Sequence, residues 1–231
     1  MIVLIAQHVP FEGPGMIADL LSEAGHRVID VPLYDGASLP PPETVEAYVS
    51  MGGPMSVHDG RRYPWLVSEQ RLMAAVHAAG RPVLGICLGA QQLAVALGGG
   101  VVASPEREIG WFPVEYTGAW LDAVGTPPPA AVLHWHGEMI RPPVGTLPVG
   151  QTPGCPVQGF FLPDAATVGL QFHLEMDGAT VRPLVDASAD ELAAHADERF
   201  VTPAEDLLEG AAVHATAARG HLRAVLRLIG L

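Results

Sequence analysis

The chain has 231 residues, enough for one large α/β domain with a substantial core. Hydrophobic residues make up 49% of it and charged residues only 16%, which excludes a disordered protein and a coiled coil. The formal net charge is −13, so we expect no nucleic-acid partner.

No apolar run approaches the roughly 20 residues that a membrane helix needs. Residues 1–6 (MIVLIA) lack the basic segment of a signal peptide and are typical of a first strand. We therefore expect a cytoplasmic protein without membrane contact, whose two cysteines, Cys87 and Cys155, stay reduced.

The first hundred residues alternate strand-like and helical patterns. The predicted strands are residues 1–6, 26–31, 47–51 and 82–86, and the predicted helices are residues 15–24, 65–79 and 88–97. This alternation predicts an α/β fold with an open, mostly parallel sheet and helices on both faces.

After residue 100 the pattern changes to short strand-like runs separated by turn residues. The runs occupy residues 109–116, 130–136, 157–162 and 167–173, and no convincing helical pattern lies among them. We expect meandering strands here, some of them antiparallel.

From Asp177 onward the pattern is helical again, and we treat residues 177–231 as a helical extension of the domain formed by residues 1–176. Capping-box spacing at Ser188 and at Thr202 predicts two helix starts, the second with Pro203 as the first helical residue. We expect the apolar stripe of the last helix to pack against the sheet, with a homodimer contact or a docking surface as alternatives. That stripe consists of Leu208, Ala211, Ala215, Ala218, Leu222, Val225 and Ile229.

Cys87 lies between a predicted strand and a predicted helix, with Gly85 and Gly89 two residues to either side. This is the cysteine form of the nucleophile elbow, G-x-S-x-G, in which a sharp turn exposes the nucleophile. Amides at the helix N-terminus there favour a thiolate and can stabilise an oxyanion. The alternative is a buried structural cysteine.

A nucleophilic cysteine needs a base, and His173 is the favoured candidate. It ends a predicted strand, and Glu175 follows at i+2, where a carboxylate can orient the imidazole. Gly52 and Gly53 end another strand, and a free N–H there could donate to an oxyanion. The alternatives are a solvated His and Glu in a loop and an ordinary Gly-Gly-Pro turn.

Three motifs, GGPMS, GICLGAQ and GLQFHLE, occur here in the order and at the separations found in class I (triad) glutamine amidotransferases. The resemblance covers about residues 1–176, and it is closest to free-standing proteins labelled as the amidotransferase domain of GMP synthase. Residues 106–115 (EREIGWFPVE) and 133–138 (LHWHGE) also resemble that branch.

The resemblance implies a flavodoxin-like sheet and a set of site residues. It implies that Cys87 is the nucleophile, His173 the base and Glu175 its partner. It also implies an oxyanion hole formed by the N–H groups of Gly53 and Leu88, and a glutamine site that includes Gly52 and Gln91. Many family members have Pro where this chain has Leu174, a departure that leaves both catalytic side chains intact.

The implied reaction is hydrolysis of the glutamine side-chain amide to glutamate and ammonia for an acceptor, with no cofactor. Residues 177–231 do not resemble an ATP pyrophosphatase domain, so we expect any acceptor chemistry on a separate synthetase subunit. One alternative is a free-standing hydrolase of γ-glutamyl amides. Another is a non-catalytic redox sensor with Cys87 as its oxidisable thiol.

His134 and His136 form an H-x-H pair that would face one side of a strand. No third ligand at catalytic spacing is evident, and we expect no metal. Cys155 is predicted to be a passive thiol.

Overall fold

The computed structural model describes residues 1–231 and contains twelve strands and seven α-helices. In chain order they are β1 Ile2–Gln7, α1 Met16–Glu23, β2 Arg27–Pro32, β3 Ala47–Ser50, α2 Trp65–Ala78, β4 Val83–Ile86, α3 Leu88–Ala96, β5 Gly100–Phe112, β6 Glu115–Tyr116, α4 Gly118–Val124, β7 Val132–Arg141, β8 Leu147–Pro148, β9 Gly150–Gln151, β10 Gly159–Leu162, β11 Thr167–Leu170, α5 Gly178–Ala187, α6 Ala189–Ala194, β12 Phe200–Val201 and α7 Ala204–Leu228. Two 3-10 turns, Leu33–Asp35 and Pro42–Thr44, connect β2 to β3.

The main sheet has seven strands in the order β2-β1-β3-β4-β11-β10-β8. Its first five strands are parallel, and β10 runs antiparallel to both β11 and β8. The predicted mostly parallel sheet is therefore confirmed. Since the carboxyl ends of parallel strands meet at one edge, the segments that follow β3, β4 and β11 are neighbours there.

Both faces of this sheet are covered by helices, as predicted. Alternate residues of a strand point to opposite faces, so Val3 and Ile5 of β1 pack with α1 and α7. Leu4 and Ala6 of the same strand pack with α2 and α3 in a second buried cluster. The sheet is thus the middle layer of three.

A smaller sheet, β12-β5-β7, lies beside the main one and contains the predicted antiparallel pairing. β5 and β7 pair antiparallel with a register shift between Ala103 and Glu108, and β12 joins β5 in parallel. A third cluster, which includes Ile109, Leu133 and Leu207, packs α5 and α7 on this sheet. The predicted strand 109–116 is divided between β5 and β6.

The expectation of no helix between residues 100 and 177 is wrong, because α4 lies there. Thr117 caps it by accepting a hydrogen bond from the Trp120 N–H at 3.2 Å, and Gly125 ends it with φ 68°. A helix of only seven residues with two buried side chains, Trp120 and Val124, is too short to produce a clear 3.6-residue period.

Both predicted helix starts are present, since α6 begins at Ala189 and α7 at Ala204, but neither predicted capping box forms. The Ser188 side chain makes no cap hydrogen bond to α6, and α7 begins at Ala204 after an uncapped Pro203. The Thr202 hydroxyl donates instead to the Ile109 carbonyl of β5 at 3.2 Å. The capping box that forms joins Asp177 to Thr180 at the start of α5.

The apolar stripe of α7 packs within the chain, as predicted. Five of its residues are buried and the other two are half-buried: Ala211, Ala218, Leu222, Val225 and Ile229, and then Leu208 and Ala215. None of the seven helices combines the length and the apolar character required to span a bilayer.

Candidate active site

The turn between β4 and α3 has the geometry of a nucleophile elbow. Cys87 adopts φ 51° and ψ −108°, a conformation that a non-glycine residue adopts only under strain. A Cβ at Gly85 would lie 2.5 Å from the Gly89 carbonyl oxygen, and one at Gly89 would overlap the backbone of Ser50 in β3. Both glycines are therefore required by the close approach of α3 to the sheet.

Backbone hydrogen bonds fix the elbow to the neighbouring strands. The Cys87 N–H donates to the Leu170 carbonyl at 2.8 Å, and the Gly89 N–H donates to the Met51 carbonyl at 3.0 Å. By contrast, the N–H groups of Leu88 and Gly53 donate to no acceptor in the protein. Both amides that the resemblance assigns to an oxyanion hole are thus free to bind a ligand.

The predicted pairing of His173 with Glu175 is present in the structure. Nδ1 of His173 lies 2.6 Å from Oε1 of Glu175, and the side chains are 1% and 0% exposed. The His173 N–H donates to the Leu133 carbonyl of β7 at 2.8 Å, which holds the segment after β11 against the smaller sheet. The other ring nitrogen, Nε2, is buried without a hydrogen-bond partner.

The surroundings of His173 favour its protonated form. Burial alone would lower its pKa, but the Glu175 carboxylate and the nearby Cys87 thiol hold the pKa well above its usual value. An imidazole in this position can take a proton from the thiol and keep it.

Two hydrogen-bonded glutamine side chains connect the cleft wall to the thiol. Gln171 donates from Nε2 to Sγ of Cys87 at 3.8 Å, while its Oε1 accepts from Gln91 Nε2 at 3.3 Å. Gln91 also donates to the Glu138 carbonyl at 3.4 Å and lines the cleft in front of Cys87. The sequence analysis included Gln91 but missed Gln171, although Gln171 lies two residues before His173.

Cys87 lies at the bottom of a cleft of about 670 Å³. Its lining contains Gly53, Gln91 and residues of the loop after β1, of β5, of β7, and of α5 and α6. Gly52, His173 and Glu175 do not line the cleft, and all three are buried. The cleft is therefore lined by Cys87 and by Gly53, which carries one of the two free amides, while the His–Glu pair is buried from solvent.

The cleft is acidic. Five carboxylate residues line it: Glu12, Asp59, Glu138, Asp190 and Glu191. The one lining cation, Arg107, already pairs with Glu191 at 2.8 Å.

Glu12 was not anticipated from the sequence. Its side chain is 7% exposed, lines the cleft and makes no hydrogen bond, and a Cβ at Gly52 would overlap its carboxylate. Burial raises the pKa of Glu12 to about 7, although His173 and His8 act in the opposite direction. A lone acidic residue in a loop gives no sequence signal for such burial.

The H-x-H pair faces one side of β7, as expected, and approaches Glu108 of β5. Nε2 of His136 lies 3.2 Å and Nδ1 of His134 lies 3.7 Å from Oε2 of Glu108. Burial, with the neighbouring His136, lowers the pKa of His134 to about 3, so that ring is neutral near pH 7.

Glu108, His136 and Cys155 are the group that could hold a metal ion, because their ligand atoms lie within 4.8 Å of one another. The Glu108 carboxylate, however, already accepts hydrogen bonds from Thr152 and Gln158, each at 2.6 Å. These hydrogen bonds account for the burial of the carboxylate, because through them Glu108 holds in place the loop that carries Cys155. Both Cys155 and Cys87 are free thiols.

The sequence matches a known protein family over most of its length. The family "Glutamine amidotransferase class-I" matches residues 15–184. The glutamine amidotransferase-like protein YfeJ of Salmonella typhimurium is 33% identical over 205 residues, which cover 84% of each chain. A GMP synthase [glutamine-hydrolyzing] of Natranaerobius thermophilus is 37% identical over 131 residues, 56% of this chain but only 24% of that enzyme.

A solved structure of similar size is also related. The glutamine amidotransferase from Thermotoga maritima superimposes with a TM-score of 0.88 at 30% identity, over 100% of this chain and 99% of that one. The likeness extends through α5, α6 and α7, beyond the residues that the family matches.

Proposed function

Because this chain belongs to the class I glutamine amidotransferase family, we propose that it hydrolyses the side-chain amide of glutamine with Cys87 as the nucleophile. His173 acts as the base and Glu175 orients its ring. The observation that carries the proposal is the strained elbow at Cys87, at the bottom of a cleft and in front of the buried His173–Glu175 pair.

The reaction proceeds in two halves. His173 takes the thiol proton, and the Cys87 thiolate attacks the γ-carboxamide carbon, so that the carbonyl oxygen becomes an oxyanion facing the free amides of Gly53 and Leu88. His173 then gives its proton to the amide nitrogen as the intermediate collapses, so the C–N bond breaks and the nitrogen leaves as ammonia. Water that gives a proton to His173 then attacks the thioester, releasing glutamate and restoring the thiol.

Gln91 and Gln171 support this assignment from the substrate side. Their side-chain amides form a hydrogen-bonded chain from the cleft wall to Sγ of Cys87. A polar substrate that breaks one of these bonds can form a new one with the freed amide N–H or carbonyl oxygen. We propose that Gln91 is part of the glutamine site. We propose the same for Gly52, which directly precedes Gly53 in the loop at the cleft.

The test uses the two cysteines as a matched pair. Cys87→Ala should abolish ammonia release from glutamine. Cys155→Ala should retain most of it, because Cys155 is buried in the loop that Glu108 holds in place. A covalent adduct with a glutamine-analogue electrophile should form on Cys87 alone, be blocked by glutamine and be visible by mass spectrometry. Near wild-type glutaminase activity in Cys87→Ala would contradict the mechanism.

A second candidate, hydrolysis of a γ-glutamyl amide other than glutamine, is favoured by the extent of the cleft. It reaches from Cys87 to the exposed Asp190 of α6, which leaves room for a group on the amide nitrogen. Assays of the isolated protein on glutamine and on a panel of γ-glutamyl amides separate the two. Rapid turnover of a substituted amide without a partner would favour the second candidate; weak glutaminase activity that rises on addition of a synthetase would favour ammonia donation.

A further inference from the structure

A buried pair of ionisable side chains, His8 and Glu69, lies behind the Gly52–Gly53 loop, and both side chains are 0% exposed. His8 follows β1, and Glu69 belongs to α2. Nε2 of His8 lies 2.9 Å from Oε2 of Glu69, and Nδ1 lies 2.9 Å from the Gly52 carbonyl oxygen. The His8 ring also stacks on Trp65 at 5.2 Å with an interplanar angle of 7°.

The hydrogen bonds assign the charges of this pair. A backbone carbonyl can only accept, so Nδ1 of His8 carries a proton that it donates to Gly52. The Glu69 carboxyl accepts hydrogen bonds from the Tyr48 and Ser50 hydroxyls at 3.1 and 2.7 Å, which favours its ionised form. Nε2 of His8 then donates to it as well. His8 is then an imidazolium with both N–H groups in use.

The electrostatic surroundings of both groups agree with this assignment. Burial would lower the pKa of His8, but Glu69, the Gly52 carbonyl and Glu12 together raise it above its usual value. Burial would raise the pKa of Glu69, but His8 and the two hydroxyls lower it. Tyr48 faces the pair in its neutral form, because burial raises its pKa.

The geometry of one peptide group links this pair to the proposed reaction. The chain has no cis peptide bond, so the Gly52 carbonyl and the Gly53 N–H, which share a planar unit, point in opposite directions. Because His8 holds the carbonyl, the N–H must point away from His8. Gly53 lines the cleft beside Cys87, and its N–H has no acceptor in the protein.

We propose that His8 and Glu69 are positioning residues for the oxyanion donor: His8 fixes and polarises the Gly52–Gly53 peptide so that the Gly53 N–H is directed at the reacting carbonyl. This rests on the function proposed above. A donor oriented before the substrate arrives needs no reorganisation during the reaction. Glu69 acts through His8 and not on the substrate.

The test compares three variants. His8→Leu removes the hydrogen bond to Gly52, whereas His8→Asn keeps a donor near the position of Nδ1. His221→Leu is the matched control, since His221 is a buried histidine of α7 that does not contact the loop. Loss of a whole oxyanion donor lowers kcat about 10²–10³-fold. Because His8→Leu keeps the Gly53 N–H but frees its direction, we expect a smaller fall of about 10–100-fold in kcat, with KM changed little.

Two probes separate positioning from general damage. Glutamate γ-semialdehyde forms a tetrahedral hemithioacetal at a thiolate and depends on the oxyanion hole, whereas alkylation by iodoacetamide does not. In His8→Leu, the affinity for the aldehyde should fall by about the same factor as kcat, and the rate of Cys87 alkylation should stay within about twofold. His8→Asn should recover most of both, and His221→Leu should change neither. If His8→Leu is too unstable, the double variant His8→Leu/Glu69→Leu, which leaves no unpaired charge, takes its place.

The outcomes are distinct. His8→Leu, or the double variant, with kcat within threefold of wild type would overturn the positioning role. Equal losses in kcat, aldehyde affinity and alkylation rate would also overturn it, since they would indicate a structural role only. A wild-type protein that forms no Cys87 adduct with the aldehyde and releases no ammonia would overturn the proposed function instead.

Discussion

The contact between α3 and β3 makes Gly89 the most sensitive position of the elbow. A methyl group there would overlap the Ser50 carbonyl and lie 2.7 Å from its hydroxyl oxygen. Backbone atoms cannot rotate away as a flexible side chain can, so Gly89→Ala must push α3 from the sheet. Overpacking of this kind costs about 1–3 kcal/mol.

Gly220→Ala supplies the control, because Gly220 is an exposed helical residue of α7 with nothing within 4 Å of the added carbon. Alanine is favoured over glycine in a helix by about 0.5–1 kcal/mol, and both variants receive some of that gain. We therefore expect Gly89→Ala to lose about 1–2 kcal/mol net and Gly220→Ala to gain up to about 1 kcal/mol.

Thermal unfolding measures both effects. For a chain of this size, 1 kcal/mol shifts Tm by about 2–4 °C, so Gly89→Ala should lower Tm by about 2–8 °C and Gly220→Ala should raise it by about 1–4 °C. Since displacement of α3 moves Cys87 and Leu88 relative to Gly53, Gly89→Ala should also lose about 10²-fold in activity. A Gly89→Ala protein with the Tm and activity of wild type would refute the steric argument.

Three further predictions concern charged or titrating side chains. Glu175→Gln should lower kcat about 10³–10⁴-fold in a glutaminase assay, because an amide no longer fixes the His173 tautomer; a loss below tenfold would contradict the triad. Glu12→Gln should stabilise the protein above pH 7 by on the order of 3 kcal/mol, but not at pH 4.5. Because the folded pKa of Glu12 is about 7, its ionisation lowers the stability of the wild type as pH rises from 4.5 to 7, and the loss is constant above pH 7. Equal urea midpoints for the two proteins at pH 8 would contradict this. Burial lowers the pKa of His221 to about 4, so the unfolded chain binds a proton at this residue before the folded chain does. Stability therefore falls by on the order of 3 kcal/mol as pH drops from 6.5 to 4. His221→Leu should flatten that part of the Tm-against-pH curve, and an unchanged slope would contradict the assignment.

The sequence predicted the parts of the site whose signal is local. Gly85 and Gly89 mark the elbow because each is required by a close approach between backbones, and such an approach leaves a fixed spacing in the chain. His173 and Glu175 are two residues apart, and their contact follows from that spacing once a strand ends before them. The carboxyl edge of a parallel sheet then brings the motifs together.

The parts that the sequence analysis missed depend on contacts between distant residues. His8 and Glu69 are 61 positions apart, and nothing in either local pattern indicates that one neutralises the other. Thr202 has the spacing of a helix cap, yet its hydroxyl bonds to Ile109 of β5, 93 positions away. The local sequence pattern predicted a cap by the Thr202 side chain, but its hydroxyl forms a tertiary hydrogen bond instead.

The long C-terminal helix has a consequence for the order of assembly. Leu207 and Ala211 complete the core of the smaller sheet, while Leu222 and Val225 complete the core of the main sheet on the face of β1 and α1. On the ribosome, β1 and α1 are made well before α7, which completes the cover of this face and follows some 200 residues later, as the Glu23–Arg223 contact illustrates. Because this contact between distant segments forms late, that face stays incompletely covered until α7 is made, and we expect the intermediate to be prone to aggregation.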